Sequence, residues 1–175
     1  MKEQGPNVPS RYQWEDRACL RCRSCCIAHP CALAPSDLIR IARFLGISSL
    51  ELFRKYLVLD YVFASGSRHY YVCPARVGEE PGTIVASTWT FADSPCVFLR
   101  DNSCTVEPVK PRGGRAFLCR LMTGSNRDCI GYGKKTAAKD WSRSQILDQL
   151  LALAINHSSY DRKDPGSIAA TLDRW

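Results

Sequence analysis

A small, loop-rich α+β domain organised around a cysteine metal cluster is the fold class predicted by three features of this 175-residue chain. Apolar residues recur at helical spacing between positions 38 and 57 and again between 146 and 154. β-branched and aromatic runs separated by turn residues occupy the middle of the chain, the pattern of a small antiparallel sheet. Four cysteines, Cys19, Cys22, Cys25 and Cys26, fall within eight residues.

In chain order, residues 1–18 read as an extended lead-in, and 19–31 as a segment too crowded with cysteine for a regular helix. Pro35, Ser36 and Asp37 open a helix, with Ser36 as its cap and Asp37 favourable in the first turn. Leu38, Ile41, Ala42 and Leu45 share one face, and Gly46 stops the helix. Ser48 or Ser49 caps a second helix whose face carries Leu50, Phe53 and Leu57. The pair is expected to form a lid over the metal site. A DNA-binding helix-turn-helix is the weaker reading, since the second helix offers only Arg54 and Lys55 to phosphate.

From Arg68 onward strands are expected at Tyr70–Val72, Thr83–Val85, Thr88–Phe91 and Cys96–Leu99, with a loop at Gly78–Gly82. Asp101, Asn102 and Ser103 turn the chain back into Cys104–Val106. Pro108, Pro111, Gly113 and Gly114 then break regular structure. Ser144 caps a last helix containing Ile146, Leu147, Leu150, Leu151 and Ala154, ending near His157.

Hydrophobic residues make up 45% and charged residues 23% of the chain, the composition of a folded protein. No run approaches the roughly 20 apolar residues of a membrane helix, so no membrane partner is expected. The first ten residues are polar, with no signal-like apolar run, and a cytoplasmic location is expected. Ten cysteines in a reducing compartment point to metal ligands before disulfides. The formal charge of +7 counts each thiol as neutral. A four-thiolate zinc site or an oxidised four-iron cluster carries about −2, so two such sites would leave roughly +3. The basic excess therefore balances metal sites, and nucleic acid is not expected as a partner.

The central motif is Cys19-Leu20-Arg21-Cys22-Arg23-Ser24-Cys25-Cys26. A two-residue gap lets a tight turn aim both sulfurs at one ion. Successive side chains diverge, so the doubled Cys25-Cys26 fits two neighbouring sites or a polynuclear cluster better than one ion. Cys19, Cys22 and Cys25 repeat the first three ligands of the bacterial ferredoxin run; its fourth ligand is missing at the usual step. His29 stands close enough in sequence to ligate, while His69 and His157 have no ligand neighbours. Arg21, Arg23 and Arg120 flank cysteines. Arg120 is read as a donor to thiolate or sulfide that tunes the cofactor, and the other two stand even between that role and solvated charge.

With these blocks the chain resembles the YkgJ-like cysteine-cluster proteins, described as zinc- or iron-chelating domains with a C-x-x-C-x-x-C-C motif. Cys19, Cys22, Cys25 and Cys26 carry that motif, and residues 38–57 match the family's helix segment. Cys96-Val97-Phe98-Leu99 with Cys104 matches its second block, Phe117-Leu118-Cys119-Arg120 its third, and Cys129-Ile130-Gly131 its last. Val106, Lys110-Pro111 and Leu121-Met122 depart from the family's usual tyrosine, Arg-Pro and Phe-Pro. The resemblance implies a metal-binding domain over 19–131 with Cys19, Cys22, Cys25, Cys26, Cys96, Cys104, Cys119 and Cys129 as ligands. Residues 132–175 are then a C-terminal helical segment packed on the same domain. Cys31 and Cys73 are extra to this set and read as core or supporting thiols.

The expected function is metal binding through an iron–sulfur cluster or zinc, with a redox or electron-transfer role and an unidentified redox or protein partner. A structural zinc protein is the first alternative. The second is an S-adenosylmethionine-dependent protein lysine N-methylase, since the resemblance extends to flagellin methylases. Against catalysis, Gly113-Gly114 between two arginines is no cofactor loop, and no base or nucleophile constellation stands out.

Overall fold

The computed structural model describes residues 24–27, 31–85, 94–115 and 132–157. The described elements are α1 (Ser24–Ile27), α2 (Pro35–Leu45), α3 (Ser49–Tyr56), β1 (Leu57–Ala64), β2 (Ser67–Pro74), β3 (Leu99–Arg100), β4 (Ser103–Cys104), a 3-10 turn (Glu107–Val109), α4 (Arg112–Arg115), α5 (Lys134–Trp141) and α6 (Ile146–His157). Helices, several of them packed on the β1–β2 sheet, and a second small antiparallel sheet make the fold α+β.

The centre is the β1–β2 hairpin, running from Leu57↔Pro74 at its base to Ala64↔Ser67 at its tip. Its two-residue loop, Ser65-Gly66, has φ of 52° and 74°, the left-handed pair whose twist matches the flanking strands. Burial follows length and not alternation: Leu57–Asp60 and Tyr71–Pro74 are buried, while the tip is exposed. A strand covered on both faces loses the period-2 pattern. Here the base is enclosed at its edges too. Leu33 N donates to Val72 O on the outer edge of β2. On the far edge of β1, Leu59 N donates to Thr83 O and Val85 N to Leu59 O, forming a parallel bridge at Leu59↔Ile84.

The helices follow their sequence periods. α2 buries Leu38, Ile41 and Ala42, and Gly46 closes it at φ 69°. Its opening differs from the expected Ser36 cap. Ala34 occupies the cap position and Pro35 the first turn, while the Asp37 carboxylate reaches back to Ala34 N at 2.9 Å. Ser48 caps α3 by accepting from Glu51 N. The face of α3 is Leu52 and Phe53, and Leu57 already stands in β1 with extended backbone. β1 replaces the expected continuation of that helix.

The C-terminal part adds α5, which packs on β2 and β1; within the expected helical segment 132–175 the sequence reading delimited only the last helix. Fully buried Trp141 ties it to the first half, donating from Nε1 to Leu33 O at 2.7 Å. α6 spans the expected last helix. Thr83–Val85 lies beside β1 as an edge segment, and the expected strand at Thr88–Phe91 lies outside the described residues. Among the described residues no helix is long and apolar enough to cross a membrane.

Candidate metal centre

The second cysteine block is built on backbone pairing. Beyond β2 the chain continues through Ala75 and Val77, which bond to Val97 N at 3.0 Å and Pro95 O at 2.8 Å. These two bonds bracket an antiparallel bridge between Arg76 and Cys96. Cys96 N points to the other side and donates to Cys26 O at 2.7 Å, while Cys96 O accepts from Leu99 N. Expected as a strand, Cys96–Leu99 is instead a bridge residue followed by a turn, and only Leu99–Arg100 pairs with β4. Asp101 and Asn102, at φ 47° and 63°, form the two-residue reversal that brings Cys104 opposite Leu99.

Cys26, half-buried in α1, and buried Cys96 are thereby held together from blocks far apart in sequence. Cys104 follows on the same β3–β4 hairpin and packs against the core. Cys25 lies in α1. Cys19, Cys22, Cys119, Cys129, Arg120 and His29 lie outside the described residues. Among the described residues no three His, Cys, Asp or Glu side chains form a group able to hold an ion.

The chain leaving the first block meets the chain entering the third. Gly113 N donates to Ala32 O at 3.2 Å, and α4 lies so close that a Cβ on Gly113 would stand 2.5 Å from that oxygen. A Cβ on Gly114 would stand 2.7 Å from Cys31 Sγ. The expectation that these glycines only break structure is therefore corrected: they form one helical turn whose missing side chains permit the contact. Asp37, 1% exposed, locks the joint, accepting from Arg112 N at 2.7 Å and pairing with Arg40. The Arg112 guanidinium lies 4.8 Å over the ring of Tyr132, the first described residue after Cys129.

Around the hairpin base sits a buried polar group that sequence reasoning missed. Asp60 accepts from Tyr71 Oη at 2.5 Å and from Tyr61 N at 2.7 Å, with Lys134 Nζ at 3.8 Å. Buried Arg76 and Glu79 face the same region: Glu79 Oε2 accepts from Arg76 N at 2.7 Å. Glu79 Oε1 has no hydrogen-bond partner among the described residues. Burial holds the Glu79 carboxyl above the usual carboxylate range. Burial also pushes the Cys73 thiol well up, reinforced by the charges of Asp60 and Glu79. Cys73 is accordingly a protonated core thiol, in keeping with its place opposite Val58 in the hairpin. The one sequence signal for this group was Asp60, a lone acid in an otherwise apolar run.

Cys26 and Cys96 are thiols on adjacent backbone, and the segments flanking the outer cysteine blocks meet at α4 and Tyr132. No family model matches the chain, and no solved structure matches it.

Proposed function

We propose that this chain is a cytoplasmic metal-binding protein whose cysteine blocks hold an iron–sulfur cluster, serving a redox or electron-transfer role. Cys26, Cys96 and Cys104 would supply thiolates together with Cys19, Cys22, Cys25, Cys119 and Cys129. When bound, the cluster would supply one-electron chemistry. The chain's own part is to bring the thiolates together, bury them in part and set the charge around them. The observation that carries this reading is the hydrogen bond from Cys96 N to Cys26 O, which joins the first and second cysteine blocks. The resemblance to the YkgJ-like proteins supports the same ligand set.

Anaerobic purification with iron supplied tests it. The expected product is brown, bleaches with dithionite and releases sulfide on acidification. A colourless protein with stoichiometric zinc and no acid-labile sulfide would replace the cluster by a structural zinc site. Protein that takes up neither metal would overturn metal binding altogether.

A further inference from the structure

Cys26 and Cys96 come from distant parts of the chain and are joined backbone to backbone, Cys96 N donating to Cys26 O at 2.7 Å. That bond limits how far apart the two residues can stand. The covalent bonds on either side of it hold the two Cα atoms within about 6.5 Å of each other. Disulfides join cysteines whose Cα atoms are about 4.4–6.8 Å apart. The pair therefore lies within disulfide reach on backbone that is already paired, and both residues carry thiols. The other described cysteines are placed elsewhere. Cys73 stands opposite Val58 in the β1–β2 hairpin, Cys104 opposite Leu99, and Cys31 against α4.

The two thiols differ in access. Cys26 is half-buried in the single turn of α1, while Cys96 is 8% exposed. Thiol–disulfide exchange begins at a sulfur that a small oxidant can reach, and its second step is intramolecular. An accessible cysteine with a sheltered neighbour to resolve it is the arrangement of a redox-sensitive pair.

We infer that Cys26 and Cys96 form a reversible disulfide, a redox switch that stands whether or not the chain binds metal. Cys26 Sγ, as the thiolate, attacks one sulfur of a low-molecular-weight disulfide and releases the first small thiol. Cys96 Sγ then attacks Cys26 Sγ in the mixed disulfide and releases the second. Two electrons and two protons pass from the cysteines to the small disulfide, which leaves as two thiols. The bond ties α1 to the bridge segment at Cys96 and leaves neither sulfur as a thiolate able to ligate metal.

Oxidation of the full chain with glutathione disulfide, as purified and again with a chelator present, tests this. Alkylation and tryptic digestion follow, and the sequence places Cys96 alone in peptide 77–100 and Cys26 with Cys25 and Cys31 in peptide 24–40. The expected product is two hydrogens lighter per chain, with the two peptides linked through Cys26, and dithiothreitol restores the original mass. Cys96→Ser is expected to retain glutathione on Cys26. Cys26→Ser is expected to leave Cys96 unmodified under the same conditions. Linkage in either state supports the inference, and its absence in both overturns it. Linkage of Cys96 to Cys25, Cys31 or Cys73 also overturns it, even if the variants fail to fold. Glutathione on Cys96 in folded Cys26→Ser overturns the assigned order of attack. Because the chelator arm is read without metal, these outcomes are separate from the metal content that tests the proposed function.

Discussion

Asp37 and Arg112, 75 positions apart in sequence, are joined by a hydrogen bond from Arg112 N to Asp37 Oδ2 at 2.7 Å. The same oxygen accepts from Ala34 N, so one buried carboxylate closes the first turn of α2 and docks α4 onto it. The Arg40 side chain completes the arrangement, bonding Asp37 Oδ1 and Lys110 O. Asp37→Ala leaves two backbone donors and a guanidinium without this acceptor. The expected cost is about 3 kcal/mol, read as a lowered urea midpoint at unchanged slope. Asp37→Asn, which keeps one acceptor oxygen, should lose less. Equal stability of Asp37→Ala and the wild type would show that α4 docks without the carboxylate.

The two glycines of α4 differ in what they meet, and their substitutions should differ accordingly. A Cβ at Gly113 faces backbone, Ala32 O at 2.5 Å and Ala32 N at 3.0 Å, which can move only if the chain moves. A Cβ at Gly114 faces side chains, Cys31 Sγ at 2.7 Å and the Lys110 stem at 3.2 Å. Gly113→Ala should therefore cost about 1–3 kcal/mol, and Gly114→Ala less. The second penalty should shrink when Cys31 is also replaced by alanine. A double-mutant cycle on thermal unfolding checks this, with a coupling of about 1 kcal/mol expected. No coupling between Cys31 and Gly114 would contradict the contact.

These contacts also mark what the sequence made legible. α2, the stop at Gly46, the Ser48 cap, the Asp101-Asn102 turn and α6 are local devices, and each was readable from residues within a few positions. β1 was not. Leu50, Phe53 and Leu57 satisfy a helical period, so the pattern of α3 ran into the strand and hid a boundary at Leu57. The strand itself, buried on both faces at its base, shows no alternation to expose it. The bridge between Arg76 and Cys96 was equally invisible, because only long-range pairing sets the two opposite each other. Asp37 was read as a favourable first-turn acid, while its main partner lies in α4. Of the candidate ligands, spacing picked out the first block by itself. Cys96 and Cys104 entered through the resemblance, and the bond between Cys96 and Cys26 appears only in three dimensions.

Alkaline pH should destabilise the hairpin base. Tyr71 and Cys73 both hold their protons more tightly in the folded chain, chiefly because both are buried. A group whose pKa is raised on folding contributes stability that is complete below its unfolded pKa. That contribution is lost as pH climbs towards the folded value. With ordinary values of 9.0 for the thiol and 10.0 for the phenol, unfolding free energy should begin to fall above about pH 9. The decline is at most about 1.4 kcal/mol per pH unit for each group. Tyr71→Phe removes the share of the phenol and should make the decline shallower above pH 10. It should also cost about 1–3 kcal/mol at neutral pH, because buried Asp60 loses a donor. Urea titrations at neutral pH and at steps above pH 9 measure both effects. Parallel pH curves for the two proteins would rule out Tyr71 as a source of the loss.

The described cysteines should separate into ligands and bystanders by metal content. A ligand must be a thiolate, so a site that disfavours ionisation disfavours coordination. Cys73 is such a site: it is 2% exposed in the hairpin, and burial with the charges of Asp60 and Glu79 holds its proton. Cys96 is fixed beside Cys26 by a backbone bond, and Cys104 is carried on the turn that follows. Cys26→Ser and Cys96→Ser should therefore lower the metal bound per chain after anaerobic purification, and Cys104→Ser should do the same. Cys73→Ala should keep full stoichiometry and lose about 1–2 kcal/mol of stability, the effect of removing a small buried side chain. Elemental analysis alongside thermal melts distinguishes the two patterns, since a ligand variant loses metal and a core variant loses melting temperature. Loss of metal from Cys73→Ala equal to that from Cys96→Ser would place Cys73 among the ligands. Full metal content in Cys96→Ser would remove the second cysteine block from the site.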